Sequence, residues 1–102
     1  MIGIDLVFIP EFKKRIENID LNTIFLESEI RENPQIESLA GIFAAKEAFF
    51  KATGRKENWL DVWIEKEPSG KPVLQSVLLD KKRAEVSIAH SGDYAIAIAI
   101  IQ

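Results

Sequence analysis

Hydrophobic and polar positions alternate with a period of two at both ends of the chain and with a helical period through most of its first half. Ile2–Ile9 places Ile2, Ile4, Leu6 and Phe8 on one face and Gly3, Asp5, Val7 and Ile9 on the other, which predicts a strand. Pro10 suits a first helical turn, and Glu11–Ile19 carries Phe12, Ile16 and Ile19 on one side with Lys13, Lys14 and Arg15 largely on the other. A second short helix is expected from a cap at Asn22 or Thr23 to about Arg31, ended by Asn33-Pro34. The longest periodic stretch is Leu39–Gly54. Its Leu39, Ile42, Phe43, Phe49 and Phe50 form one wide stripe, and Gly41, Ala44, Ala45, Ala48 and Ala52 form a face small enough for another backbone to approach closely. Gly54 is placed to end this helix in the left-handed conformation.

Beyond the polar stretch Arg55–Leu60 the period of two returns. Asp61–Glu67 and Pro72-Val73-Leu74 read as a hairpin around Pro68-Ser69-Gly70-Lys71, and Gln75–Arg83 is expected to hold one or two helical turns. Glu85–His90 and Tyr94–Ile101 are two further strands joined by Ser91-Gly92-Asp93. In the last, Ile96, Ile98 and Ile100 alternate with Ala95, Ala97 and Ala99, the pattern of a core strand with one large and one small face. A strand, then helices, then four strands predicts an α+β fold, with helices packed on a mainly antiparallel β-sheet in one domain spanning residues 1–102.

Composition narrows the function. The chain has 102 residues, 47% of them hydrophobic and 28% charged, enough apolar surface for one core. A net charge of −3 argues against a nucleic-acid partner, whose phosphates call for a basic surface. With no cysteine there are no disulfides, thiolate zinc sites or cysteine nucleophiles. The start of the chain lacks a basic segment, Asp5 interrupts its apolar run, and no run reaches membrane-spanning length, so a soluble, cytoplasmic protein with no membrane association is expected.

Charge intrudes at a few apolar positions. Lys46 falls on the stripe of the long helix, Glu47 on its flank and Lys51 one turn beyond Glu47. The plainest reading of Glu47 and Lys51 is a helical ion pair four residues apart, worth a few tenths of a kcal/mol. Asp5 has apolar neighbours on its own strand face and needs either water at a sheet edge or a partner from elsewhere. His90, the one histidine, ends a strand at a tight turn and reads as a hydrogen-bonding structural residue more readily than as a catalyst. Were Asp5 and Glu47 to meet, they would form a hard-oxygen cation site. Magnesium is held by one or two carboxylates, with water and phosphate oxygens completing its shell. Lys46, Lys51 and His90 would then neutralise or orient phosphate, which points to diphosphate chemistry. The spacing leaves open whether these residues converge.

These motifs resemble those of the 4′-phosphopantetheinyl transferases, in particular the short holo-acyl-carrier-protein synthase type. The resemblance is carried by Gly3-Ile4-Asp5, by Phe43-Ala44-Ala45-Lys46-Glu47-Ala48-Phe49-Phe50-Lys51-Ala52 with Gly54, by Gly70-Lys71-Pro72, and by Val86-Ser87-Ile88-Ala89-His90 before an alanine-rich last strand. It implies transfer of the phosphopantetheine arm of coenzyme A to a serine of an acyl carrier protein, with release of adenosine 3′,5′-bisphosphate, as a step in fatty acid biosynthesis. It also implies that Asp5 and Glu47 bind Mg2+, that Asp5, Glu47 and Lys51 are catalytic, and that Lys46, Lys51, Gly70, Lys71, Pro72 and His90 contact coenzyme A. A homotrimer with the coenzyme A site between subunits is implied as well. The sequence departs from the family pattern at Phe8, Glu11 and Ile42, where an acidic residue and two arginines are usual, and its loop after the long helix is cut to Gly54-Arg55-Lys56. Lys13, Lys14 or Arg15 would have to replace the arginine missing at Glu11. The departures motivate an alternative reading, a catalytically weak or inactive module of the same fold that binds coenzyme A or the carrier.

Overall fold

A computed structural model describes residues 1–56 and 58–102 of the chain. Strand β1 (Ile2–Phe8) runs directly into helix α1 (Ile9–Ile16), and a 3-10 turn (Leu21–Thr23) and helix α2 (Glu27–Glu32) lead to the long helix α3 (Ile36–Thr53). A second 3-10 turn (Trp59–Asp61) precedes β2 (Val62–Lys66), β3 (Pro72–Ser76), β4 (Ala84–Ser91) and β5 (Tyr94–Ile101). The strands divide into a three-stranded antiparallel sheet in the order β1-β5-β4 and a separate β2-β3 hairpin. The α+β expectation holds, with the last four strands split between two sheets.

Two local expectations differ from what is found. The second helix breaks in two because Asp20, not Asn22 or Thr23, supplies the cap: its Oδ1 accepts from the Asn22 amide at 3.0 Å and closes the 3-10 turn. Extended backbone at Leu26 (φ −67, ψ 153) then separates that turn from α2. The segment Gln75–Arg83 is not helical. Its first residues extend β3 to Ser76, and Asp80 and Lys81 take left-handed backbone angles (φ 45 and 49) that turn the chain into β4.

Helix α3 is covered on two sides. Its small-residue face lies on the three-stranded sheet, whose facing positions are Gly3, Ala95, Ala97 and Ala99, all buried. The approach is close enough that a Cβ added at Gly3 would sit 2.0 Å from the Ala48 carbonyl oxygen and 2.7 Å from the Ala52 nitrogen. Only glycine fits there. The opposite side of α3 meets α1, α2 and the β2-β3 hairpin, with Phe43 stacked on Trp59 at 5.0 Å between ring centres and Phe12 5.1 Å from Phe43.

Because the small faces of β1 and β5 are the ones that meet α3, the large faces point outward. Ile2, Leu6 and Ile4 are 65%, 60% and 55% exposed, and Phe8, Tyr94, Ile96 and Ile100 are exposed beside them. The register Ile2↔Ile100, Ile4↔Ile98, Leu6↔Ile96 and Phe8↔Tyr94 sets them side by side. The exposed side chains among them form a run of neighbouring apolar residues across β1 and β5.

Under the other side of α3 lies a buried ion pair. Lys46 and Glu29 side chains are fully buried, with Lys46 Nζ 2.7 Å from Glu29 Oε1. Lys46 also donates to the carbonyls of Ile24 (2.7 Å) and Trp59 (3.4 Å). Glu29 accepts from the amides of Leu26 (2.8 Å) and Ile64 (2.9 Å), so one carboxylate ties α2 to β2. Burial pushes the Lys46 ammonium below its ordinary pKa, while the Glu29 charge beside it pulls the other way. Glu29→Gln leaves that ammonium buried without its counter-charge and is expected to cost about 3–5 kcal/mol of unfolding free energy. Adding Lys46→Met should recover a large part of the loss, and urea unfolding of the wild type, single and double variants measures both.

Candidate active site

Asp5 shares the inward face of β1 with Gly3 and Val7, and the close approach at Gly3 brings it against α3. There Lys51 Nζ donates to Asp5 Oδ1 at 2.9 Å and to the Ile4 carbonyl at 3.1 Å. Glu47, one turn earlier, is paired instead with Lys56, whose Nζ lies 3.3 Å from its Oε1. The two acids are therefore neutralised by separate lysines, and the simple Glu47–Lys51 helical pair gives way to tertiary partners. Asp5 and Glu47 line one cavity of about 190 Å³, floored by Phe12 and Phe43 and rimmed by Glu11 and Arg15. The Asp5 and Glu47 side chains are 14% and 19% exposed, so both are largely held in place by their surroundings.

Among the described residues no group of three or more histidine, cysteine or acidic side chains is gathered to hold a metal. Two hard carboxylates on one cavity remain a suitable donor set for an ion that takes its other oxygens from water and phosphate. Transition metals that demand nitrogen or sulfur ligands find none in this cavity.

The other expected residues are placed apart. Gly70, Pro72 and His90 line a second cavity of about 190 Å³ with Ser38 and Lys66, while Lys71 faces a third beside Glu67 and Arg83. His90 Nε2 lies 2.9 Å from the Glu37 carbonyl, which fixes the ring at the start of α3. Gly41 makes room for it, since a Cβ there would lie 3.0 Å from that nitrogen. Lys46, expected among the coenzyme A contacts, is a correction: its ammonium is enclosed by Glu29 and the Ile24 carbonyl and has no exposure to offer a ligand. The stripe position that made it suspicious faces the core, and its partner Glu29 lies in a helix whose pattern gave no sign of one.

Of two further residues near the first cavity, Arg15 was named as a candidate replacement for the arginine missing at Glu11, and Lys56 had no signal in the spacing. Arg15 places its guanidinium 5.5 Å from the Phe43 ring centre, on the cavity rim one turn after Glu11. Lys56 reaches Glu47 because Gly54, at φ +71, turns the chain back at the end of α3. It also sits 4.2 Å from the Trp59 ring centre.

A family model described as the 4′-phosphopantetheinyl transferase superfamily matches residues 1–99. The chain belongs to this superfamily, in its holo-[acyl-carrier-protein] synthase branch. It is 39% identical to holo-[acyl-carrier-protein] synthase of Nautilia profundicola over 111 residues, covering 99% of this chain and 98% of the relative. It is 36% identical to that of Bacillus pumilus over 115 residues, covering 99% and 93%. The crystal structure of Helicobacter pylori holo-[acyl-carrier-protein] synthase in complex with coenzyme A superimposes with a TM-score of 0.92 at 30% identity, covering all of both chains. A Bacillus anthracis holo-(acyl-carrier-protein) synthase in complex with CoA (3′,5′-ADP) gives 0.86 at 29% identity, covering 98% and 93%.

Proposed function

We propose that this chain, acting as one domain over residues 1–102, transfers 4′-phosphopantetheine from coenzyme A to a serine of an apo acyl carrier protein in an Mg2+-dependent reaction, as its relatives' names and its coenzyme A-bound structural neighbours suggest. The observation that carries the reading is the convergence of Asp5 and Glu47 on one cavity, with Lys51 already bonded to Asp5. Asp5 and Glu47 would hold the ion, and a bound divalent ion supplies charge neutralisation on the diphosphate and its leaving oxygen. Lys51, 56% exposed, swings its ammonium from Asp5 toward phosphate oxygens. The serine oxygen attacks the phosphorus that bears the pantetheine arm, the bond from that phosphorus to the nucleotide-side oxygen breaks, and adenosine 3′,5′-bisphosphate leaves with the bonding pair. Holding serine and diphosphate in line on a rigid cavity lowers the entropic part of the barrier. Lys51 and the two carboxylates are this chain's candidates to take the serine proton.

The same reading assigns Gly70, Lys71, Pro72 and His90 to coenzyme A from a neighbouring subunit of a homotrimer. Two features support it: these residues line cavities separate from that of Asp5, and β1 and β5 expose a continuous apolar face. A cytoplasmic setting agrees with the absence, among the described residues, of a helix long and apolar enough to cross a membrane. Glu11 and Ile42, which stand where the family pattern has arginines, motivate the second reading, a binding module with weak turnover.

Incubation with coenzyme A, magnesium and an apo carrier, followed by mass spectrometry of the carrier, should show the added phosphopantetheine, and Glu47→Gln should reduce the rate by at least roughly a hundredfold. An unmodified carrier together with tight coenzyme A binding would select the binding module. Separately, Leu6→Asp on the exposed face should convert the assembly to monomers in light scattering without unfolding the chain. A wild-type monomer at micromolar concentration would overturn the trimer.

A further inference from the structure

Asp5 and Glu47 each carry their own lysine, and the two lysines come from different places. Lys51 belongs to α3 itself, whereas Lys56 is delivered by the turn at Gly54. The acids are largely buried, at 14% and 19% exposure, while the lysines are 56% and 49% exposed. The anionic ends are fixed and the cationic arms lie in water. Exposed ion pairs of this kind are weak and are replaced readily by a stronger competitor for the same oxygen. A divalent cation entering between Asp5 and Glu47 is such a competitor.

Displacement from Glu47 would not send Lys56 away from the site. Its ammonium rests over Trp59 at 4.2 Å, and that indole is itself fixed by stacking on Phe43 at 5.0 Å and by an edge contact with Phe50 at 5.5 Å. The Trp59 carbonyl in turn accepts from buried Lys46 at 3.4 Å. The seat is therefore built into the core and survives loss of the Glu47 contact.

We propose that Lys56 is a further substrate-binding residue: it serves as the counter-ion of Glu47 until a divalent cation displaces it, and then, still seated on Trp59, it binds the phosphate oxygens that arrive with that cation. The proposal rests on the reading of Asp5 and Glu47 as metal ligands and of a diphosphate as substrate. It predicts effects of opposite sign from one substitution. In Lys56→Met, binding of Mn2+ to the free protein, followed by electron paramagnetic resonance, should tighten roughly two- to fivefold because a competitor is gone. Binding of coenzyme A at saturating magnesium, followed by calorimetry, should weaken roughly tenfold because a charge-assisted hydrogen bond is gone. Lys56→Arg, which keeps the charge and the ring contact, should return both values toward wild type. A merely structural lysine would move both affinities down or neither. Mn2+ binding that is unchanged or weaker in a folded Lys56→Met protein, or unchanged coenzyme A binding, overturns the role of Lys56 alone. Failure of the wild-type protein to bind Mn2+, or binding that survives Asp5→Asn undiminished, overturns the metal-site reading and this inference with it.

Discussion

The site exists because β1 and α3 touch backbone to backbone. At Gly3 the strand comes so near the helix that a single added carbon would overlap the Ala48 carbonyl, and the alanines of α3 and β5 keep the rest of the contact equally tight. Two residues further along the same strand face, this separation puts Asp5 within a hydrogen bond of Lys51 and beside the cavity that Glu47 lines. Side chains of ordinary size in that seam would wedge strand and helix apart, and a carboxylate as short as aspartate would no longer reach. Packing of small residues is thus the condition for the chemistry as well as for the fold.

On its other side α3 is anchored by a charged contact. Lys46 and Glu29 give up hydration completely, and the cost is offset because their polar atoms meet partners drawn from the Ile24 and Trp59 carbonyls and the Leu26 and Ile64 amides. Such a node fixes relative positions better than apolar contacts do, since each bond has a direction. It holds α2, α3, β2 and the Trp59 turn in one geometry. Trp59 and the ring of Phe43 stacked on it, which borders the first cavity, inherit their placement from it.

Periodicity conveyed the elements well wherever one face had to be buried. The small-residue face of α3, the left-handed Gly54 and the alternation in β5 all led to the correct element type. What periodicity could not convey was which face is inside. In β5 the alternation gave one large and one small face without saying which is inside; the alanines are buried and Ile96 and Ile100 are exposed, because closeness of approach to α3 decided the matter. Hydrophobic size reports a need for burial without naming the partner, and a partner outside the chain satisfies it equally. For the site, Asp5 and Glu47 were legible as charges in apolar company. Lys46 gave the same signal for a different reason, since its partner Glu29 is 17 residues away along the chain. Lys56 gave none, because its role depends on a reversal of chain direction.

Of the residues expected to contact coenzyme A, Gly70, Lys71, Pro72 and His90 lie on cavities separate from that of Asp5 and Glu47. The cavities of Asp5 and of His90 are shallow clefts of about 190 Å³ each. Asp5 and Glu47 line one and Gly70, Pro72 and His90 the other, and both are open to solvent. An exposed apolar strand face lies beside Asp5. Ile4 and Leu6, the immediate neighbours of Asp5, point outward from the same strand, so any copy that buries them must come to rest next to the acids. Strand alternation therefore gives β1 two different faces: one presents the Asp5 carboxylate to α3, and the next residue on either side presents apolar surface to solvent.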